Sequence, residues 1–245
     1  SKADQALLSK KGISAAQVAE QLKTFKTGFP FLKIEAAATI GNGVLAPTQQ
    51  EIDEYLKVWD NYCAEGNAIL KFVPASGAAS RMFKDLFAFL SAEYDVPTTD
   101  FEKNFFANIE KFAFYGDLDE TCRKNKGLSV KELVEGGQYK DVVFNLLDFT
   151  GMNYGSLPKG LLKFHTYDCC SRTSAEEHFV EGALYAATDG VVKLHFTVSP
   201  NHKALFEELV AERKAHYEEK FGVKYDITFS EQKQCTDTIA VDAEN

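Results

Sequence analysis

The chain has 245 residues, 45% hydrophobic and 26% charged, with a net charge of −9. That composition suits a globular protein with enough length for one large core or two smaller ones. The acidic balance excludes non-specific nucleic-acid binding, which rewards a basic face, and no apolar run approaches the roughly 18 residues needed to span a bilayer.

In chain order, Leu7, Leu8, Ile13, Val18 and Leu22 recur at helical intervals and predict helix over about 3–26, with Ser14 as a second N-cap. Residues 28–47 carry Pro and Gly punctuation and read as loop. Thr48 starts a helix with Ile52, Tyr55, Leu56 and Trp59 on one face, ending near Gly66. The short apolar run 69–73 predicts a buried strand, and 81–90 a helix bearing Met82, Phe83, Leu86, Phe87 and Leu90. Residues 99–150 read as mainly helical, with their aromatic side chains in a core.

From Leu157 the texture changes. LPKGLLKFH predicts a loop and a short strand, and Thr173-x-x-Glu176 is a capping box opening a helix to about Ala187. Residues 191–198 alternate as a strand, Asn201 caps a charged helix closed by Gly222, and 223–229 is a further strand. Strand, helix, strand, helix, strand in that order predicts an α/β fold with a mostly parallel sheet. The expected organisation is an N-terminal helical extension over 1–66 and an α/β domain over 67–245, with a helical insertion at about 95–155. The five cysteines show no C-x-x-C, and together with the lack of a signal-peptide core they predict reduced thiols in a cytoplasmic protein. The Cys169–Cys170 pair reads as two small residues beside a turn.

The stretch KFVPASGAASRM, residues 71–82, carries the chemistry. It lies between a predicted strand and a predicted helix, the carboxyl end of a strand where ligands of α/β sheets sit. Backbone amides over Ala75, Ser76, Gly77, Ala78, Ala79 and Ser80 can approach an anion because the side chains are small, and Arg81 adds a fork for phosphate oxygens. The same run also suits a tight turn with small residues for packing and a surface arginine. It is neither a Walker A loop nor a dinucleotide fingerprint.

The loop resembles the signature of sugar-nucleotide pyrophosphorylases and related nucleotidyltransferases, A-G-G-x-G-T-R-[LM], with Ser76 and Ala79 in place of glycines. Two further segments share the resemblance: Pro158-Lys159-Gly160-Leu161-Leu162 with Glu177-His178-Phe179-Val180-Glu181 after it, and Glu231-Gln232 followed by Thr236 and Thr238. Over nearly the whole chain the sequence is more similar still to a family known only as domain-of-unknown-function family 4301.

The resemblance implies a Rossmann-like nucleotidyltransferase sheet of the GT-A type, with added N-terminal and inserted helices. It implies transfer of a nucleotidyl group from a nucleoside triphosphate to a sugar 1-phosphate or similar phosphate. Residues 75–80 and Arg81 would hold the triphosphate, Lys159 would lie between the reacting phosphates, Gln232 would contact the base, and Mg²⁺ would bridge the phosphates. His165 and Arg172 are candidate substrate contacts. The metal ligand is unidentified: only Asp237, Asp242 and Glu244 follow the last segment, which suggests an incomplete C-terminus. The alternatives are a non-catalytic module binding a nucleotide or phosphosugar, and an interaction domain using the helical insert.

Among the other histidines, His195 is expected to be hydrogen-bonded within its strand, and His202 and His216 to be solvated on the charged helix. Glu176-Glu177-His178 is not a zinc spacing.

Overall fold

Serine N-caps open the chain. In the computed structural model, which describes residues 1–168 and 170–241, Ser1 caps α1 (Lys2–Lys11) and Ser14 caps α2 (Ala15–Thr27), each by a reciprocal capping box. Gly12 sits between them in the left-handed region, where glycine costs least. Short strands β1 (Thr39–Ile40) and β2 (Gly43–Val44) precede α3 (Gln49–Ala64).

The chain divides into two compact units. The first is Ser1–Tyr62 together with the segment from Gln232 onward, and the second is Cys63–Glu231. From sequence, the C-terminal segment was expected in the α/β domain. It associates with α1 and α2 through Lys11 Nζ to Asp237 at 3.1 Å, Gln21 Nε2 to the Asp237 carbonyl at 3.3 Å, and the Ile239 amide to Gln21 Oε1 at 2.9 Å.

The second unit holds two cores. One is helical: α4 (Lys84–Ser91), α5 (Asp100–Ala107), α6 (Tyr115–Lys126), α7 (Val130–Glu135) and α8 (Tyr139–Leu147) bury Leu86, Phe89, Phe106, Leu118, Leu133 and Leu146 among themselves. The block expected as an insertion is thus a packed body that includes α4. Helix α4 begins later than predicted. Residues 80–83 form a turn, so Arg81 precedes the helix instead of opening it. Cys122 lies in this core, and burial pushes its thiol up to about 11. Among the described residues Cys63, Cys122 and Cys235 are free thiols; Cys169 lies outside the described residues.

Glu102 anchors the start of α5. Its buried carboxylate accepts the Thr98 and Thr99 amides at 2.7 and 3.0 Å and the Tyr94 hydroxyl at 3.0 Å. Burial alone would raise its pKa, but the bonds from Thr99, Thr98 and Tyr94 outweigh it and hold the carboxyl below the ordinary glutamate range. A depressed folded-state pKa means stability that is present above the unfolded value of about 4.3 and lost as pH falls. Urea denaturation at pH 7 and pH 4 is expected to show a smaller acid loss in Glu102→Gln than in the parent.

The second core is built on a sheet centred on β7 (Val191–Val198). β3 (Lys71–Pro74) and β8 (Lys224–Glu231) pair with it in parallel, with Lys71 opposite Leu194 and Val191 opposite Lys224. β6 (Ala187–Thr188) pairs antiparallel with the first two residues of β7 through Asp189 and Gly190, both at positive φ. Val192, Leu194, Phe196 and Val198 of β7 are buried. Helices α9 (Ser174–Tyr185) and α10 (Lys203–Phe221) pack on this face: Phe179 and Phe206 place their rings 6.3 and 6.1 Å from Phe196. Gly182 lets α9 lie close to β7, since a Cβ there would come within 2.6 Å of Val192 Cγ1. The intervening face of β7 carries Lys193, His195 and Thr197. There His195 is bonded to Thr228 and Ser230 at 2.7 and 2.8 Å, the structural role expected of it. The architecture is mixed α/β, and this sheet has three parallel strands, β3, β7 and β8.

Two local expectations change. A hairpin of β4 (Lys163–Tyr167) and β5 (Cys170–Thr173) precedes α9, where one short strand was expected. Asn201 lies in a 3-10 turn, Pro200–His202, and α10 begins at Lys203.

Candidate functional site

The small-residue loop divides into packing residues and open ones. The Ala75 amide extends the β3–β7 ladder by donating to the Thr197 carbonyl at 2.7 Å. It is therefore not available to an anion, against expectation. Ala75 is buried in the sheet core and Ala79 in the helical core, so both are small because two cores close around them. Ser76 is half-buried, and Gly77 and Ala78 are exposed. No backbone partner takes the amides of these three among the described residues.

The Pro158–Leu162 segment is bonded to this loop. The Lys159 amide donates to the Gly77 carbonyl at 3.0 Å, and Ala78 pairs with Pro158 as an antiparallel bridge. Gly160 then turns over Phe206; a Cβ at this position would lie 2.8 Å from the ring. Next to the join is a concavity of about 180 Å³, lined by Gly77, Lys159, Gly160, Ser174, Ala175 and His178, with Phe196 also in its wall. Ser174 and Ala175 are the first residues of α9; the Ser174 amide donates to the Leu162 carbonyl and the Glu176 amide to the Thr173 hydroxyl, each at 3.2 Å, so the Ala175 amide is the one of the first three with no partner among the described residues. Lys159 is exposed and forms no ion pair among the described residues. Val73, Pro74 and Ala75 complete its wall, so it is a largely apolar hollow at the carboxyl end of a parallel strand, with one lysine, Lys159, at its edge.

The other expected residues lie elsewhere. Arg81 and Ser80 are exposed in the turn before α4, and neither lines the concavity. His165 and Arg172 face each other across the β4–β5 hairpin. Arg172 is engaged in a local cluster: its Nε is 2.8 Å from Glu177 Oε1, and its guanidinium lies 3.8 Å from the centre of the Tyr167 ring. Tyr167 donates to the same carboxylate at 2.9 Å, and His165 Nδ1 stands 3.9 Å from it. Gln232 belongs to the first unit. Asp237 pairs with Lys11; Asp242 and Glu244 lie outside the described residues. No carboxylate lines the concavity, and no group of three metal-binding side chains occurs among the described residues. The residues present do not fit a resident Mg²⁺ there, and no step is assigned to one.

One constellation was missed from sequence. His178, on the wall of the concavity, holds Glu181 Oε2 with Nδ1 at 3.0 Å. Lys71, from β3, reaches the same oxygen at 2.8 Å and donates to the Tyr185 hydroxyl at 2.7 Å. The Lys71 hydrogen bond, assisted by His178 and opposed by partial burial, holds the Glu181 carboxyl below its ordinary range. Partial burial would lower the Lys71 pKa, but its bonds to Glu181 and Tyr185 outweigh that and raise it. The His178-x-x-Glu181 spacing, one helical turn, was the available signal.

A larger hollow, about 610 Å³, lies in the helical part of the unit, lined by Met82, Phe83, Phe101, Phe105, Phe112 and Phe164 among others. It is aromatic, with Lys111 bonded to Asn108 at its rim at 2.8 Å.

Fold and concavity together define a mixed α/β protein with a hollow where a small-residue loop meets the Pro158–Leu162 segment. The chain belongs to the family described as Domain of unknown function (DUF4301), whose model matches residues 1–245. No curated protein and no solved structure matches it.

Proposed function

We propose that the protein binds a phosphorylated small molecule, a nucleotide or a sugar phosphate, with one phosphoryl group seated in the concavity beside Gly77 and Lys159. The observation that carries this reading is the backbone bond from Lys159 to Gly77. It joins two segments distant in sequence into one hollow that also receives the N-terminus of α9. The Gly77 amide, the Lys159 ammonium, which forms no ion pair among the described residues, and the start of α9 all favour negative charge. A volume of about 180 Å³ suits a phosphoryl group with a few further atoms. It is below the 300 Å³ or more usual for a whole drug-sized ligand.

Nucleotidyl transfer on a reduced GT-A-like sheet is the second reading. It is favoured by the juxtaposition of the loop with Pro158–Leu162, the two segments that carry the resemblance. It requires a second phosphate subsite and a metal ligand beyond those in the concavity, and Arg81 is the candidate for the former.

Calorimetry and thermal shift with inorganic phosphate, sugar 1-phosphates and nucleotides test the first reading, since a bound ligand stabilises by mass action. Lys159→Ala is expected to weaken every phosphorylated ligand by about 10- to 100-fold, the range of a charge-assisted hydrogen bond, while the unliganded melting temperature stays within a few degrees. Equal affinity in parent and variant counts against the site. Pyrophosphate release from a nucleoside triphosphate and a sugar 1-phosphate tests the second reading.

A further inference from the structure

We propose that His178 is the specificity residue of this concavity, and that its Nε2 accepts a hydrogen bond from a hydroxyl group of the bound molecule. The ligand class is then a hydroxyl-bearing phosphomonoester such as a sugar phosphate, in preference to phosphate alone. The inference rests on the phosphoryl reading above.

The argument starts from what each atom can do. The Glu181 carboxylate only accepts hydrogen bonds, so the 3.0 Å contact with His178 requires Nδ1 to carry the proton. In the neutral ring that leaves Nε2 with the lone pair. Glu181 is fixed from the other side by Lys71, whose side chain is 16% exposed and comes from the neighbouring strand β3. The tautomer is therefore set by a carboxylate that is itself held by a cation, the arrangement by which proteins orient an acting imidazole. The ring is also held edge-on against Phe196 at 6.3 Å. His178 lines the same hollow as Lys159 and Ser174, and Nε2 has no protein partner among the described residues.

An acceptor nitrogen gains nothing from an ionised phosphate oxygen, which is also an acceptor, but it matches a hydroxyl. Lys159 and the amides would take the phosphoryl group, and His178 the carbon-bearing end. A site built to hydrogen-bond a hydroxyl discriminates strongly against ligands that lack it, because its polar atom is otherwise left unpaired.

Isothermal titration with glucose 1-phosphate and with inorganic phosphate tests this, using the full chain. His178→Ala is expected to weaken glucose 1-phosphate about tenfold while inorganic phosphate changes by less than about twofold. Glu181→Gln, which frees the tautomer but keeps the ring, is expected to give a loss of about threefold for the sugar phosphate only. Melting of each unliganded variant checks that the fold is kept. Equal losses for both ligands would place the ring on the phosphoryl group and overturn the inference while leaving the phosphoryl site standing. No loss for either ligand also overturns it. If the parent protein binds neither ligand, the phosphoryl reading itself falls, and this inference with it.

Discussion

Phe179→Ala is expected to cost about 3–5 kcal/mol of unfolding free energy, the usual range for deleting a fully buried aromatic ring. Phe179 is completely buried on α9. Its ring meets Tyr217 edge-on at 5.5 Å, Tyr225 at 5.6 Å and Phe196 at 6.3 Å, so three other aromatic rings would face the void. The surroundings cannot collapse easily. Tyr225 is tied by its hydroxyl to the Phe179 carbonyl at 2.7 Å, and Tyr217 to Glu176. For a domain whose total stability is typically about 5–15 kcal/mol, such a loss is a large fraction. Urea denaturation gives the size of the effect, and Phe149→Ala, at an exposed position, is the control, expected within about 0.5 kcal/mol of the parent. Because the sheet and helical cores are separate clusters, amide exchange should accelerate most in β7 and β8 and least in α8. Equal acceleration throughout the second unit would mean that the two cores unfold as one.

What the sequence made legible is what period and caps can encode. The run VVKLHFTV alternates, and Val192, Leu194, Phe196 and Val198 are its buried residues. Thr173-x-x-Glu176 announced α9, and the strand–helix order announced the parallel pairing of β3, β7 and β8. The β4–β5 hairpin was only half visible, because most of its residues are exposed and no alternation marks a core face. β6 has two residues, too few for any period; its turn, Asp189–Gly190, was the readable sign. At the site, the pairing of the loop with Pro158–Leu162 followed from the resemblance, but the roles of the small residues did not. Alanine suits a packed junction and an anion loop equally well, and only the placement of Ala75 and Ala79 in two cores separates them. Arg81 was drawn into the site by its position in the motif, yet the turn at 80–83 leaves it off the concavity. Lys71 completes the His178–Glu181 pair from a different strand, a contact that exists only once β3 lies beside β7 and α9 covers them.

Glu176→Ala is expected to be the second severe substitution, with a loss of about 3 kcal/mol, because it strands several donors at once. The carboxylate is buried and surrounded by groups that donate: the Thr173 amide at 2.8 Å, the Thr173 hydroxyl at 3.0 Å and the buried Tyr217 hydroxyl at 3.2 Å, with Arg213 Nε 3.4 Å away. It closes the capping box of α9 and ties that helix to α10 through Tyr217. Removing it breaks the reciprocal cap, worth about 1 kcal/mol, and leaves a phenolic hydroxyl without an acceptor in the core. Glu176→Gln keeps one acceptor oxygen and is expected to lose only about half as much. A double-mutant cycle with Tyr217→Phe isolates the buried contact: in the Glu176→Ala background, deleting the Tyr217 hydroxyl should cost almost nothing, or stabilise. If the two losses simply add, the Tyr217 bond contributes nothing of its own. The same helix end presents Ser174 and Ala175 to the concavity and carries His178 one turn on. Glu176→Ala should therefore weaken phosphorylated ligands even under conditions where the variant remains folded, whereas Phe149→Ala should leave binding unchanged.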